Sequence, residues 1–417
     1  MTCIVQKFGG TSVATLDLIK KAALRIKSEV DAGHQVVAVV SAMAGTTNSL
    51  VSSIRDLSTT YDRAEYDTIV SSGEQVTAGL LALALQNIGL PARSWLGWQI
   101  PIHTSAQHAG AQIKRIETGA LLADLKKGWV VVVAGFQGLS PEGRITTLGR
   151  GGSDTTAVAL AAALDADRCD IFTDVDGVYT ADPRYVSAAD KLNHIAYQEM
   201  LELAAQGAKV LQKESVEFAM KHQVRLRVLS SLSELPGTLI THEKEAKARH
   251  SPIRGLAHSL NEELFTLTHL PQNPALIDQI RSLLGSHQII IDMIQQSLSL
   301  CGRTLNFSFT LPETEADRAS TILHESKDRL QFNDLLRDSG VAKISVIGTG
   351  LLTQHSPSNK LFQVLREEKI DVHTVLSSDI KLSVLIPAQH AERAIASLHT
   401  MYQLDAEEKD RVWQQNI

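Results

Sequence analysis

The chain has 417 residues, 44% hydrophobic and 21% charged, a balance usual for globular proteins, and its length suggests roughly two to three domains. A formal net charge of −6 argues against nucleic acid as a partner, which selects for a basic face. No run approaches the roughly 18 consecutive apolar residues of a membrane helix. The absence of a signal pattern and the wide spacing of Cys3, Cys169 and Cys301 lead us to expect a cytoplasmic protein with reduced thiols and no membrane association.

The first apolar run, Cys3-Ile4-Val5-Gln6-Lys7-Phe8, ends in Gly9-Gly10-Thr11-Ser12, which reads as a strand, an anion-approach loop and a helix N-terminus near Ala14. Leu16, Ile19, Ala23, Ile26 and Val30 recur at helical spacing, and Gly33 closes that helix. Gln35–Val40 is apolar without alternation, as a strand buried on both faces should be. It opens into a small polar loop running from Ser41 to Asn48.

The same pattern of strand and polar loop recurs at Trp129–Ala134, at Asp170–Phe172 and at Val224–Leu229. Alternating strands and helices predict an α/β domain with a mostly parallel sheet over residues 1 to about 235, its ligand-binding rim at the carboxyl ends of the strands. Pro236-Gly237 marks a break, and the charged stretch His242–Arg249 reads as a helix-like connector. Beyond it the chain repeats itself weakly. Phe265-Thr266-Leu267 corresponds to Ile344-Ser345-Val346, Ile291-Asp292 to Ile370-Asp371, and Asn306–Pro312 to Lys381–Pro387. With helices expected at Leu276–Leu284 and Ser358–Glu368, this predicts two tandem ferredoxin-like βαββαβ modules.

Gly149-Arg150-Gly151-Gly152-Ser153-Asp154 opens a long Ala-rich helix expected from Thr155 to Leu164. Its glycines and helix N-terminus suit an anion, and the Arg150 fork suits a carboxylate or phosphate. Asp154 could equally serve only the helix dipole. The stretch Thr173 to Arg184 is no calcium loop, because the twelfth position from Asp174 is Tyr185 where a glutamate is needed; a nucleotide-contacting loop fits better. Ser72-Gly73-Glu74 starts another helix, either as a plain N-terminus or as a functional one. Lys209 is either a surface lysine or a second cation near phosphate, and His103 and His108 read as loop or surface residues. GxxxxGK[ST], GxGxxG, HRD and DFG are all missing, which removes the P-loop, dinucleotide-binding and protein-kinase architectures.

Taken together, Lys7 to Val13, Gly149 to Asp154 and Thr173 to Arg184 resemble the aspartokinase family, and the resemblance spans the whole chain. It implies an amino-acid-kinase-like three-layer sandwich at residues 1–245, then a first ACT region with connector at 246–338 and a second ACT domain at 339–417. It implies transfer of a phosphoryl group from ATP, with Mg²⁺ carried mainly on the ATP phosphates and no dedicated metal site, to the β-carboxylate of L-aspartate. Lys7 and Asp154 would be catalytic, Lys7 neutralising the moving phosphoryl group and Asp154 orienting the lysine. Ser41, Thr47, Glu74, Arg150, Gly151, Gly152 and Ser153 would line the aspartate pocket, Arg150 on the α-carboxylate and Glu74 on the amino group side. Lys7, Gly9, Gly10, Thr173, Asp174, Tyr179, Arg184, Lys209 and Val210 would hold ATP.

The C-terminal half departs from the family pattern. Gln272-Asn273-Pro274-Ala275 stands where feedback-inhibited relatives typically have a sequence like Asp-Arg-Pro-Gly, and Gly350–Pro357 lacks the usual small-residue loop, whereas Ile291-Asp292-Met293-Ile294 matches. ACT pairing into a homodimer or larger homo-oligomer is therefore expected more firmly than binding of lysine or threonine as effector. Two other readings stay open on the sequence: a carboxylate kinase of the same fold with another substrate, and a catalytically silent amino-acid sensor.

Overall fold

The uninterrupted apolar runs of the N-terminal half become the centre of one sheet. The computed structural model describes residues 2–206, 210–243, 253–299, 302–349, 351 and 356–405, which divide into two units. In the first unit the chain forms β1 (Cys3–Phe8), α1 (Leu16–Asp31), β2 (Gln35–Val40), α2 (Thr46–Leu57), α3 (Arg63–Val70), α4 (Ser72–Asn87) and β3 (Ala92–Trp95). It continues with β4 (Val130–Ala134), α5 (Gly152–Ala163), β5 (Arg168–Thr173), β6 (His194–Ala196), α6 (Tyr197–Ala205), α7 (Lys213–His222), β7 (Leu226–Ser230) and β8 (Thr238–Thr241). The eight strands lie in the order β6-β8-β7-β5-β1-β2-β4-β3, and all pairs are parallel except β7 with β8. β1, β2, β4 and β5 therefore end at one rim.

Three layers result. Val36, Ala38 and Val40 of β2 pack with Ile19, Ala23 and Ile26 of α1 and Leu81 and Leu85 of α4. The other residues of β2, Val37 and Val39, are equally buried on the opposite face, as strand alternation requires. That face is covered by α5, which touches β1 and β5 on one side and α7 on the other. Ala157 to Ala161 of α5 are all buried, which explains why this helix is apolar all round. A separate four-stranded sheet is built from Ile102–Thr104, Ile113–Ile116, Gln137–Leu139 and Ile145–Thr147. The residues from Arg63 to Asn87 are long and apolar enough in composition to cross a membrane, but half of their most apolar window is buried inside the fold, and Asp67 and Glu74 are among the buried residues.

Two expectations about this unit need correction. The sheet does not end near residue 235, because β8 follows Pro236-Gly237 directly and pairs with both β6 and β7. The first glycine loop does not run straight into the long helix. A short 3-10 turn, Gly10–Val13, intervenes, and α1 begins only at Leu16, capped by the Thr15 hydroxyl. Within the connector stretch, residues 244–249 lie outside the described residues, as does Cys301. Cys3 and Cys169 are free thiols, and burial pushes both above the ordinary thiol range.

The second unit contains β9 (Gly255–Pro271), α8 (Pro274–Ser286), β10 (Asp292–Leu298), β11 (Thr304–Pro312), α9 (Glu313–Glu325), β12 (Leu335–Ile347), α10 (Ser356–Glu367), β13 (Thr374–Ser377), β14 (Lys381–Pro387) and α11 (Ala391–Met401). Both repeats share one antiparallel sheet of order β10-β11-β9-β12-β14-β13. Glu262–Leu267 of β9 pair with Leu335–Val341 of β12, and Gly255–Ser259 pair with Lys343–Ile347, with register shifts between the two stretches. Each long strand is thus the first strand of one ferredoxin-like repeat and the fourth strand of the other. Residues Thr180–Asp190 also belong to this unit. The Leu256 N–H donates to the Thr180 carbonyl at 2.7 Å, and the Thr180 hydroxyl lies 2.9 Å from His399 Nε2.

Because neither repeat owns its fourth strand, the second unit should unfold as one. Phe265→Ala removes a fully buried ring from the first repeat and Leu361→Ala a fully buried side chain from the second. Each should cost about 2–5 kcal/mol. Calorimetry of the full chain should show both substitutions lowering the same transition, not two separate ones.

Candidate active site

Lys7 is the penultimate residue of β1, and alternation decides where it points. Phe8 packs with α1 and α4, so Lys7 faces the α5 layer. There its Nζ lies 2.6 Å from Oδ1 of Asp154, with the two side chains only 10% and 12% exposed. Asp154 stands in the first turn of α5, where the helix dipole favours a carboxylate. The contact is charge against charge but poorly aligned, because Asp154 Oδ1 is buried without a hydrogen bond. An ammonium has three N–H donors, so pairing with this one oxygen leaves others for further acceptors.

The loop before α5 turns sharply. Gly149 and Gly151 adopt φ of +77° and +70°, a region that L side chains rarely enter. A Cβ on Gly151 would also lie 2.1 Å from Gln212 Cγ. This turn presents the exposed Arg150 guanidinium, which has no hydrogen bond or ion pair among the described residues. No side chain caps α5; the Gly152 N–H donates to the Gly149 carbonyl at 3.1 Å, and the N–H groups of Ser153 and Asp154 that follow it face the anion position of a helix N-terminus.

Glu74 arrives from α4. A Cβ on Gly73 would come 2.8 Å from Ala42 Cβ, so glycine there lets the start of α4 press against the loop that follows β2. The Ala42 N–H donates to Glu74 Oε1 at 3.1 Å, while Oε2 is buried and unsatisfied. Burial pushes the Glu74 carboxyl up to about 7, opposed by the Ala42 hydrogen bond.

These groups share one pocket of about 560 Å³. Lys7, Gly10, Ser41, Thr47, Glu74, Arg150, Gly151, Gly152, Ser153 and Asp154 all line it. Gly9 does not, but a Cβ there would stand 3.3 Å from Lys7 Nζ, so glycine keeps the lysine's surroundings open. Thr173 and Asp174 follow at the end of β5, the neighbour of β1, and the Thr173 hydroxyl donates to Asp174. The Tyr179 hydroxyl donates to Asp176 at 2.9 Å; burial first, and then that carboxylate, hold it protonated well above the ordinary tyrosine range. Thr173, Asp174, Tyr179 and Val210 lie outside the pocket lining. Arg184 belongs to the second unit, where its guanidinium closes on Asp182. Lys209 lies outside the described residues.

Sequence reasoning missed Asn48, Tyr66, Ala109, Phe136 and Thr147 of the lining. Asn48 closes the polar loop from Ser41 already singled out and Thr147 lies two residues before Gly149, whereas Tyr66 and Ala109 carry no local signal. His108, read as a loop or surface residue, is mostly buried against Asp67. Among the described residues no three groups of metal-ligating type converge.

Residues 2–230 match the model of the amino acid kinase family, and residues 344–402 match that of an ACT domain. The chain is 45% identical over 97% of its length to an aspartate kinase of Pseudomonas fluorescens, of which it covers 98%. E. coli aspartokinase III, solved with aspartate and ADP, is 29% identical with a TM-score of 0.79, the match covering 96% of this chain and 99% of that one. The same enzyme solved with lysine and aspartate gives a TM-score of 0.76 at 29% identity, covering 95% and 99%. With the amino acid kinase model matched over more than half of its length and 45% identity to an aspartate kinase along nearly all of it, the chain belongs to the aspartate kinases of the amino acid kinase family.

Proposed function

We propose that this aspartate kinase transfers the γ-phosphoryl group of ATP to the β-carboxylate of L-aspartate, giving 4-phospho-L-aspartate and ADP, the first step toward lysine, threonine and methionine. One observation carries the reading. A single pocket presents an uncommitted guanidinium, Arg150, and a buried carboxylate with one unsatisfied oxygen, Glu74. That is the complement of an α-amino acid's carboxylate and ammonium, and Lys7 stands beside it. The aspartate and ADP bound to E. coli aspartokinase III support the same assignment.

In this reading Arg150 and the N–H groups at the start of α5 hold the α-carboxylate, with Ser41, Thr47 and Ser153 on the remaining polar atoms. Glu74 receives the ammonium. The β-carboxylate is already ionised at neutral pH, so the reaction needs no strong general base. What it needs is fixed positive charge where the phosphoryl group moves. Lys7 supplies it, held in place by Asp154, with Gly9 and Gly10 leaving room for phosphate oxygens near the backbone. Thr173, Asp174, Tyr179, Arg184, Lys209 and Val210 hold ATP.

Mg²⁺ commonly binds through one or two carboxylates together with substrate phosphates, and here it would be carried mainly on the ATP phosphates, with Asp154 the carboxylate beside Lys7. Such a cation would further neutralise phosphate charge. The enzyme works in the cytoplasm as a homodimer or larger assembly joined through its ACT sheets. Lysine or threonine is the candidate effector, lysine having support from the complex of E. coli aspartokinase III. The departing turn is well formed here. Asn273 caps α8 by accepting from the Ala275 N–H at 3.1 Å, and the Gln272 side chain donates to the Gly302 carbonyl at 3.0 Å.

Lys7→Ala should lower kcat for aspartate-dependent ADP release by at least about 100-fold, the usual scale for removing a preorganised charge-stabilising group; a rate within a few-fold of the parent would contradict the role given to Lys7. Glu74 generates a pH signature. With its carboxyl near 7, the charged form that pairs with an ammonium gains population as pH rises. KM for aspartate should fall between about pH 6 and 8, and Glu74→Gln should raise KM and flatten that dependence. The same group works against stability in the ligand-free protein. It binds more protons folded than unfolded, so its contribution weakens as pH rises from the ordinary carboxylate range through 7.

A further inference from the structure

Asp67 lies outside the pocket lining, yet it ties together three segments that form one of the pocket's walls. It sits on α3 with no exposed side-chain surface. Both of its oxygens accept from the Ala109 N–H at 3.1 Å. His108 Nδ1 donates to one oxygen at 2.7 Å and the Thr147 hydroxyl to the other at 2.5 Å. The neighbour of Asp67 on α3, Tyr66, lines the pocket, and so do Ala109 and Thr147. Ala109 is held at φ +59°, a conformation that a non-glycine residue keeps only where its surroundings impose it. The Ala111 N–H donates to the Thr147 carbonyl at 2.8 Å, closing the two segments on each other. A Cβ built on Gly149 would meet Gly110 Cα at 3.6 Å, so this loop flanks the turn that bears Arg150.

A buried carboxylate is tolerated only when its oxygens are satisfied, and charge-assisted hydrogen bonds are the strong ones. Four such contacts reach Asp67 from residues 41 to 80 positions away in the chain. We infer that Asp67 is a positioning residue for substrate binding: through Ala109 and Thr147 it fixes the pocket wall beside the turn that bears Arg150, and so sets affinity for aspartate without touching it. His108 supports Asp67 from behind. This inference rests on the reading of the pocket given above.

The test separates positioning from plain stability. In steady-state assays with Mg²⁺-ATP and L-aspartate, Asp67→Ala should raise KM for aspartate at least tenfold, with KM for ATP and kcat within about threefold of the parent. Asp67→Asn keeps an oxygen for the Ala109 and Thr147 donors but sets an amide N–H against His108, so its rise should be smaller and of the same sign. His108→Phe removes one donor at the edge of the cluster and serves if Asp67→Ala does not fold; it too should raise KM for aspartate selectively. Variants that lose melting temperature and kcat while KM for aspartate stays at the parent value would overturn the inference. Failure of the parent enzyme to release ADP with aspartate would overturn the function proposed above, and this inference with it.

Discussion

The Lys7–Asp154 pair is the contact on which the site depends. Bringing two charges to about one-tenth exposure is costly unless they are held close, and the fold holds them at 2.6 Å by fixing both ends. Lys7 is locked in the register of β1 between β2 and β5, and Asp154 is locked in the first turn of a helix buried on nearly every side. An ammonium carries three N–H donors, so a single carboxylate oxygen at this distance does not exhaust them. The other polar groups are arranged on the same principle. Glu74 keeps one oxygen satisfied and one open, and Arg150 projects from a turn whose backbone only glycine adopts readily.

The second unit is built from the same kind of economy in strands. Two repeats share β9 and β12, so neither can change its sheet geometry alone. Residues Thr180–Asp190, which overlap the end of the Thr173–Arg184 stretch, are fastened to this unit. The fastening runs through the Thr180 carbonyl to Leu256, and through a fully buried hydroxyl–imidazole contact to His399, whose Nδ1 lies 2.9 Å from Asp405.

Much of this was legible because the relevant physics is local. A six-residue apolar strand ending in Lys-Phe-Gly-Gly, and a glycine turn entering an Ala-rich helix, each specify a strand end or helix start within a dozen residues. Both were placed within a few residues of their observed limits, and the repeats in the C-terminal half aligned β9 with β12 and β11 with β14. What could not be read depends on distant pairing. Thr238–Thr241 was lost because Pro236-Gly237 punctuates a turn inside a sheet as readily as a domain end. The fourth strand of the second repeat precedes both repeats in sequence, so no scan for a repeating unit would find it. Asp67, His108 and Thr147 meet across gaps of 41 to 80 residues, and each alone looks like an ordinary helix, loop or strand residue.

The central claim is that the pocket recognises an α-amino acid and delivers its side-chain carboxylate to ATP. The most direct measurement traps the product. Purified protein with Mg²⁺-ATP, L-aspartate and hydroxylamine should form the aspartyl hydroxamate in step with ADP, and L-asparagine, which binds the same α-amino-acid groups but offers no β-carboxylate, should form none. ADP release without hydroxamate, or hydroxamate formation indifferent to aspartate, would contradict the account.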